Sequence, residues 1–374
     1  MTDLVNFDGL ATAEVNSEVI AAMQPWMSLN SNPNSLHPLG EATQNLYTRV
    51  RAKVAARVGC SPGEVIFTSG IAEADNLALK GFAKRHQSVG KSLAVLATEP
   101  LTTLNCAREI EKHGWGLATI PVDQGGVVDL ALAKGTINSK TALVSSHLVN
   151  EETGAVQPIA ELVEAVREIS PMVKIHCNGR AGIGRIPFSF ADLGVDSLSL
   201  DTASIGGPSG IGVLIVKSGE VLAPLIHGAG ADSRFDSTGI SNAQIAGIGA
   251  ACELPSLSAS NSLLLADSIV KSELGRKCWT IGPENCAPGI LNLCIESVLA
   301  EPFVIECGIN GLLISPSSGC TSTAGKASHV LLAMGISESS ALSSLRFSLS
   351  SDISSEEIGL GVAALAKSYA DMSG

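Results

Sequence analysis

The sequence predicts an α/β fold, a large domain with a mostly parallel sheet flanked by helices plus a smaller C-terminal α/β domain. Three observations predict it. Short apolar runs of strand length alternate with amphipathic stretches of helix length through the first two thirds of the chain, the pattern of a parallel sheet covered on both faces. Glycine turns follow several of these runs. Hydrophobic residues make up 45 % of the 374 residues and charged residues 16 %, so burial over a large core offsets the ordering entropy of the chain.

The first clear element is "GEATQNLYTRVRAKVAARVG", where Leu46, Val50, Val54 and Val58 recur every four residues and Gly59 ends the helix. "EVIFTSG" follows as a buried strand running into a glycine turn, and "AEADNLALKGFAKRH" as a helix. The alternation continues with strand "SLAVLAT", helix "LTTLNCAREIEKHG" and strand "GLATIPVD". Strand "TALVSSHLV", helix "IAELVEAVREI" and strands "VKIHCN", "VDSLSLD" and "GIGVLIVKSG" complete the large sheet. After the helix "NAQIAGIGAACE", the Pro/Ser-rich "LPSLSASN" marks the passage into the smaller domain. This divides the chain into 1–252 and 253–374, with the segment 1–30 available to pack with the small domain. In such sheets a ligand sits at the carboxyl ends of the strands. Those ends are "TSGIAEADN", "ATEPLTT", "LVNEETG", "HCNGRAG" and "LDTASIGGPSG".

With 24 basic against 36 acidic side chains the net charge is -12, which disfavours nucleic acid and anionic membrane as partners. The start "MTDLVNFDGLATAEV" has no signal-peptide pattern, and no apolar stretch is long enough to cross a bilayer, so a cytoplasmic protein is expected. Nine scattered cysteines contain no CxxC pair. They indicate neither a disulfide framework nor a zinc site, and most read as small buried hydrophobes. His147, His176 and His227 read as structural groups, and no metal is expected.

The blocks "FDGLAT", "NPNSLHPLG", "EVIFTSGIAEADNLALKG", "NEETGAVQPIAEL", "GRIPFSFADLGVDSLSL", "GGPSGIGVLIV", "SSGCTSTAGKASHVLLAMG" and "SSLRFSLS" occur in this order along nearly the whole chain. Through them the sequence resembles the cysteine desulfurases of the class V aminotransferase group, which implies the fold-type-I architecture of pyridoxal-phosphate (PLP) transferases. The resemblance implies a lysine that forms a Schiff base with PLP, and that position falls on Ser204, which cannot form an imine. The aspartate that would pair with the pyridine nitrogen falls on Asn178, and the ring-stacking histidine on Pro100. The phosphate contacts fall on Ala72, Asp201 and Ala203, the glutamine near the phenolic oxygen on Ala181, and an asparagine on Glu151. Each charge-assisted hydrogen bond lost is worth roughly 1.5–3 kcal/mol, and Asp201 adds a carboxylate where a phosphate dianion would lie. An interface arginine falls on Asp236.

Other positions keep the pattern. Cys320 stands where the resemblance implies the cysteine that becomes a persulfide, Arg346 where an arginine grips the substrate carboxylate, and Asn32 and His37 where substrate-side residues lie. The expectation is a desulfurase-like protein with a degenerate cofactor site and no PLP. Its role would be binding, regulation or sulfur relay through Cys320 in iron–sulfur cluster assembly. The partners implied are a second copy, an active desulfurase, or iron–sulfur assembly proteins, and the vacated pocket would take waters or a small anion beside Arg180 and Arg185. The alternative is an active PLP-dependent desulfurase or lyase with loosely bound cofactor, releasing sulfur from L-cysteine through a Cys320 persulfide. A third reading pairs Glu151 or Glu152 as base with Cys320 as nucleophile in a remodelled pocket.

Overall fold

Strand β2 (Val65–Thr68), strand β3 (Ser92–Leu96) and strand β5 (Thr141–His147) are buried nearly end to end, which explains why they read as continuous apolar runs rather than alternating ones. A computed structural model describes residues 4–227, 239–257, 264–266, 268–269, 272, 274, 277–317, 325–350 and 353–373. With β4 (Gly116–Ile120), β6 (Lys174–Asn178), β7 (Ser197–Leu200) and β8 (Gly212–Val216) these strands form a seven-stranded sheet in the order β2-β8-β7-β6-β5-β3-β4. Pairing is parallel from β4 through β7, whereas β8 runs antiparallel to both β2 and β7. The sheet is therefore mostly parallel, as expected.

Alternate residues of these strands enter different cores. Phe67, Leu96, Val144 and Leu198 pack with Val50 and Val54 of the helix Pro38–Val58 on one face. Ile66, Leu93, Leu143 and Leu214 pack with Leu77 and Phe82 of the helix Ile71–His86 on the other. The long helix stops where the sequence says it should: Gly59 is left-handed, with φ 68°. The helix Ser17–Met27, carrying Pro25, was not expected; Asn16 caps it by accepting the Glu18 N–H.

A second core contains Phe303, Phe347 and Leu365 together with Val5 and Phe7 from the chain start. The short strand β1 (Val5–Asn6) pairs in parallel with β11 (Leu312–Leu313). Beside them β9 (Cys278–Thr280), β10 (Ile290–Ile295), β12 (Ser315–Pro316) and β13 (Ser344–Ser348) form an antiparallel sheet in the order β12-β13-β10-β9. Among the described residues no helix is long and apolar enough to cross a membrane.

Candidate functional site

The strand order reverses between β3, which sends the chain outward to β4, and β5, which returns on the other side. Such a switch point opens a crevice at the carboxyl ends of the strands. A cavity of about 60 Å³ lies there, lined among others by Pro100, Glu151, Glu152, Asn178, His329 and Arg346. Its walls come from loops after β3, β5 and β6 and from the C-terminal part of the chain.

The loop after β3 is fixed by Glu99, whose side chain is fully buried. Its Oε1 accepts from Ser145 Oγ at 2.6 Å, its Oε2 lies 3.6 Å from His147 Nδ1, and its carbonyl accepts from His329 Nε2 at 2.9 Å. Pro100 follows as the N-cap of the helix Leu101–Lys112. After β5, Asn150 Oδ1 accepts the backbone N–H groups of Glu152 and Thr153 at 2.9 and 3.0 Å, and its amide donates to the Thr98 carbonyl. That turn aims Glu151 and Glu152 in different directions.

Glu152 points toward the C-terminal part, where its carboxyl accepts from Ser328 Oγ and its carbonyl accepts from Asn292 Nδ2 at 3.1 Å. Burial pushes the Glu152 carboxyl up to about 8, against the pull of the Ser328 hydrogen bond and the Arg346 charge. Glu151 instead meets Arg180, with Nη1 2.9 Å from its Oε2. Arg180 Nε lies 3.0 Å from Asp201 Oδ2 on the loop after β7, and its Nη2 donates to the Leu10 carbonyl at 3.0 Å. One guanidinium thus ties the ends of β5, β6 and β7 to the N-terminal segment. Burial raises the Asp201 carboxyl, and Arg180 opposes the shift.

Asn178 is committed at both ends of its amide: Nδ2 donates to Asp75 Oδ2 at 3.0 Å and Oδ1 accepts the Arg180 N–H at 3.0 Å. Ala181 is buried beyond it. In the loop after β7, Ala203–Ile205 form a short 3-10 turn and Gly206 is left-handed, with φ 85°. Gly207 has no room for a side chain, since a Cβ would come 2.1 Å from Thr202 Oγ1. Ser204 is buried but does not line the cavity. Ala72 is exposed in the first turn of the helix Ile71–His86.

The sequence-predicted residues divide into those that meet and those that do not. Pro100, Asn178, Glu151 and Arg346 share the cavity, and Arg346 Nη2 donates to Asp8 Oδ1 at 2.8 Å. Asn32 and His37 are exposed and stand away from it: Asn32 accepts the Asn34 N–H, and His37 Nδ1 caps the helix Pro38–Val58 by accepting the Gly40 N–H at 3.3 Å. Cys320 and Asp236 lie outside the described residues. Arg180, expected beside an anion or waters in the pocket, has its guanidinium engaged by Glu151 and Asp201.

Sequence reasoning missed a second polar centre. Asp75 is fully buried; its carboxylate receives His176 Nε2 at 3.0 Å, Asn178 Nδ2 at 3.0 Å, Thr103 Oγ1 at 3.3 Å and Ser199 Oγ. His176 Nδ1 meets Ser197 Oγ at 2.8 Å, so this histidine is a satisfied structural group. The signal was present as a charge between Ala74 and Leu77 on the buried stripe of a helix, where only a well-paired carboxylate is tolerated. Among the described residues no group of His, Cys, Asp and Glu could hold a metal ion. Burial raises the Cys60, Cys106 and Cys252 thiols to about 12, so these are packing groups rather than nucleophiles.

Residues 5–253 match the aminotransferase class-V family. The chain is similar to cysteine desulfurase IscS 1 of Archaeoglobus fulgidus, 32 % identical over 350 residues that cover 92 % of this chain and 91 % of that protein. It is also similar to cysteine desulfurase IscS of an Anaeromyxobacter species, 33 % identical over 365 residues, 95 % of this chain and 89 % of that one. Among solved structures, a NifS-like protein from Rickettsia africae superposes with a TM-score of 0.86 at 26 % identity, covering 98 % of this chain and 99 % of its own.

Proposed function

Because the chain belongs to the aminotransferase class-V family and, within it, to the cysteine desulfurases, we propose that it is a member that works without pyridoxal phosphate, by binding and sulfur relay. The observation that carries this reading is the Glu151–Arg180–Asp201 bridge across the strand ends. The residues do not fit the cofactor. A cavity of about 60 Å³ falls short of the roughly 300–1,000 Å³ of ordinary ligand clefts. The bridge runs from Glu151 on the cavity wall to Asp201 on the loop that carries Ser204, and Asp201 offers an anion to a phosphate dianion. Asn178 is neutral and already bonded to Asp75 and to the Arg180 backbone. Ser204 has no amine with which to form an imine.

In this reading the two-domain shell is the functional object. It docks a second copy or an active desulfurase subunit, serves iron–sulfur assembly proteins in the cytoplasm, and carries sulfane sulfur on Cys320. Arg346, paired with Asp8, serves as a bridge between the N-terminal segment and β13 rather than as a substrate clamp. The second reading, an active desulfurase with loosely held cofactor, draws its support from relatives named cysteine desulfurase at about 30 % identity. Absorption spectroscopy with added cofactor, together with a cysteine-dependent sulfide assay, separates the two.

A further inference from the structure

Arg185, on the segment after β6, is 5 % exposed. Its Nη2 donates to the Leu349 carbonyl across a long 3.4 Å, while Nε and Nη1 have no partner. Burial lowers its pKa to about 10, Arg180 and Arg346 act in the same direction, and Glu151 and Asp201 oppose them. Those two carboxylates are engaged by Arg180, and Asp8 by Arg346. Among the described residues no carboxylate pairs with Arg185, and a buried charge in that state is costly unless something compensates it.

Arg185 lines a cavity of about 10 Å³ together with Ser204, Ile205, Pro255 and Leu257. Ser204 is 4 % exposed and its Oγ also lacks a partner. A second cation stands close by: a Cβ on Gly184, which shares this wall, would lie 3.6 Å from Arg57 Nη2. Among the described residues no acidic side chain lines the cavity. Its volume admits about one particle of water size, which excludes phosphate, sulfate and carboxylate ligands.

We propose that this cavity binds one halide-sized anion, chloride under ordinary conditions, held by an unpartnered N–H of the Arg185 guanidinium and the Oγ–H of Ser204. A guanidinium keeps its charge and is weakly hydrated, which suits it to a charge-assisted hydrogen bond with an anion, and the hydroxyl rotates to supply the second donor. The anion fastens the segment after β6 to the Ser204 loop and to the Pro255–Leu257 stretch. Neither Arg185 nor Ser204 lines the cavity between Pro100 and Arg346, so the two sites are tested separately.

The test is thermal unfolding of the full chain in potassium gluconate, chloride and bromide at one ionic strength, combined with bromide anomalous scattering from crystals. The expected result is a saturable rise in Tm with chloride and bromide that gluconate does not give, and a bromide peak between Arg185 and Ser204. Ser204→Ala raises the half-saturating halide concentration roughly tenfold, the effect of one lost hydrogen bond, and Arg185→Gln abolishes the dependence. Equal melting in all three salts with no bromide at Arg185 overturns the proposal and leaves a water in the cavity. If Arg185→Gln does not fold, the bromide map of the native protein and the Ser204→Ala titration still decide.

Discussion

Arg180 Nε lies 3.0 Å from Asp201 Oδ2, and the same guanidinium holds Glu151 from the opposite side. The side chains of Arg180, Glu151 and Asp201 are 23 %, 21 % and 10 % exposed, so solvent screens the bridge only in part. Arg180→Ala should therefore destabilise the fold by about 3 kcal/mol, the lower end of the cost of breaking a buried pair. Removing the two carboxylates as well, with Glu151→Gln and Asp201→Asn, should recover most of that loss. Urea midpoints of the single and triple variants provide the check.

Restoring the amine alone should not restore the cofactor. Ser204→Lys places a lysine in the loop after β7 but leaves the Asp201 carboxylate and the Arg180 bridge in place. The single variant should stay colourless with excess pyridoxal phosphate. A variant that also carries Arg180→Ala and Asp201→Ser should gain a visible band, and titration by absorbance compares the two directly.

Glu152 gives a pH signature of defined sign. Its folded carboxyl holds a proton up to about pH 8, against an ordinary value of 4.5, so the folded chain keeps a proton that the unfolded chain has released. The group stabilises the fold fully below the unfolded value and loses that contribution as pH rises toward the folded one. Glu152→Gln should therefore gain stability relative to the native protein with rising pH. The gain is up to about 4–5 kcal/mol, at about 1.4 kcal/mol per pH unit, and it levels off above the folded value. Asp201 shifts in the same direction, and the difference between the two proteins isolates Glu152. Parallel stability curves would refute the assignment.

Asp75 should be among the most sensitive polar positions around the seven-stranded sheet. Asp75→Ala leaves Asn178, Ser199, Thr103 and His176 without their shared acceptor. A loss of about 3–5 kcal/mol is expected from breaking such a buried charged network. Chemical denaturation measures it, and a loss below about 1 kcal/mol, the size of one ordinary hydrogen bond, would contradict the network's importance.

The sheet was legible because strands buried on both faces leave continuous apolar runs, and because Gly59 and Gly206 mark chain reversals that need a left-handed residue. The antiparallel direction of β8 was not legible: "GIGVLIV" is buried on both faces like its parallel neighbours, and nothing in its composition encodes direction. The helix Ser17–Met27 was hidden by Pro25, which reads as a breaker but sits near its end. At the site, the loops that carry Pro100, Glu151, Asn178 and Asp201 followed from the strand ends. Their partners did not, because Arg180 reaches Glu151 and Asp201, and Asp75 reaches Asn178, from other elements of the chain, as Asp8 reaches Arg346. Only the fold unites a charge with its countercharge across that span.

The most direct test of the central claim is the absorption spectrum of the purified protein before and after excess pyridoxal phosphate, read beside cysteine-dependent sulfide release. The account predicts no bound-cofactor band and no sulfide above the rate of free cofactor with cysteine. A saturable band with sulfide release would contradict it and would require that the Glu151–Arg180–Asp201 bridge open to admit the cofactor.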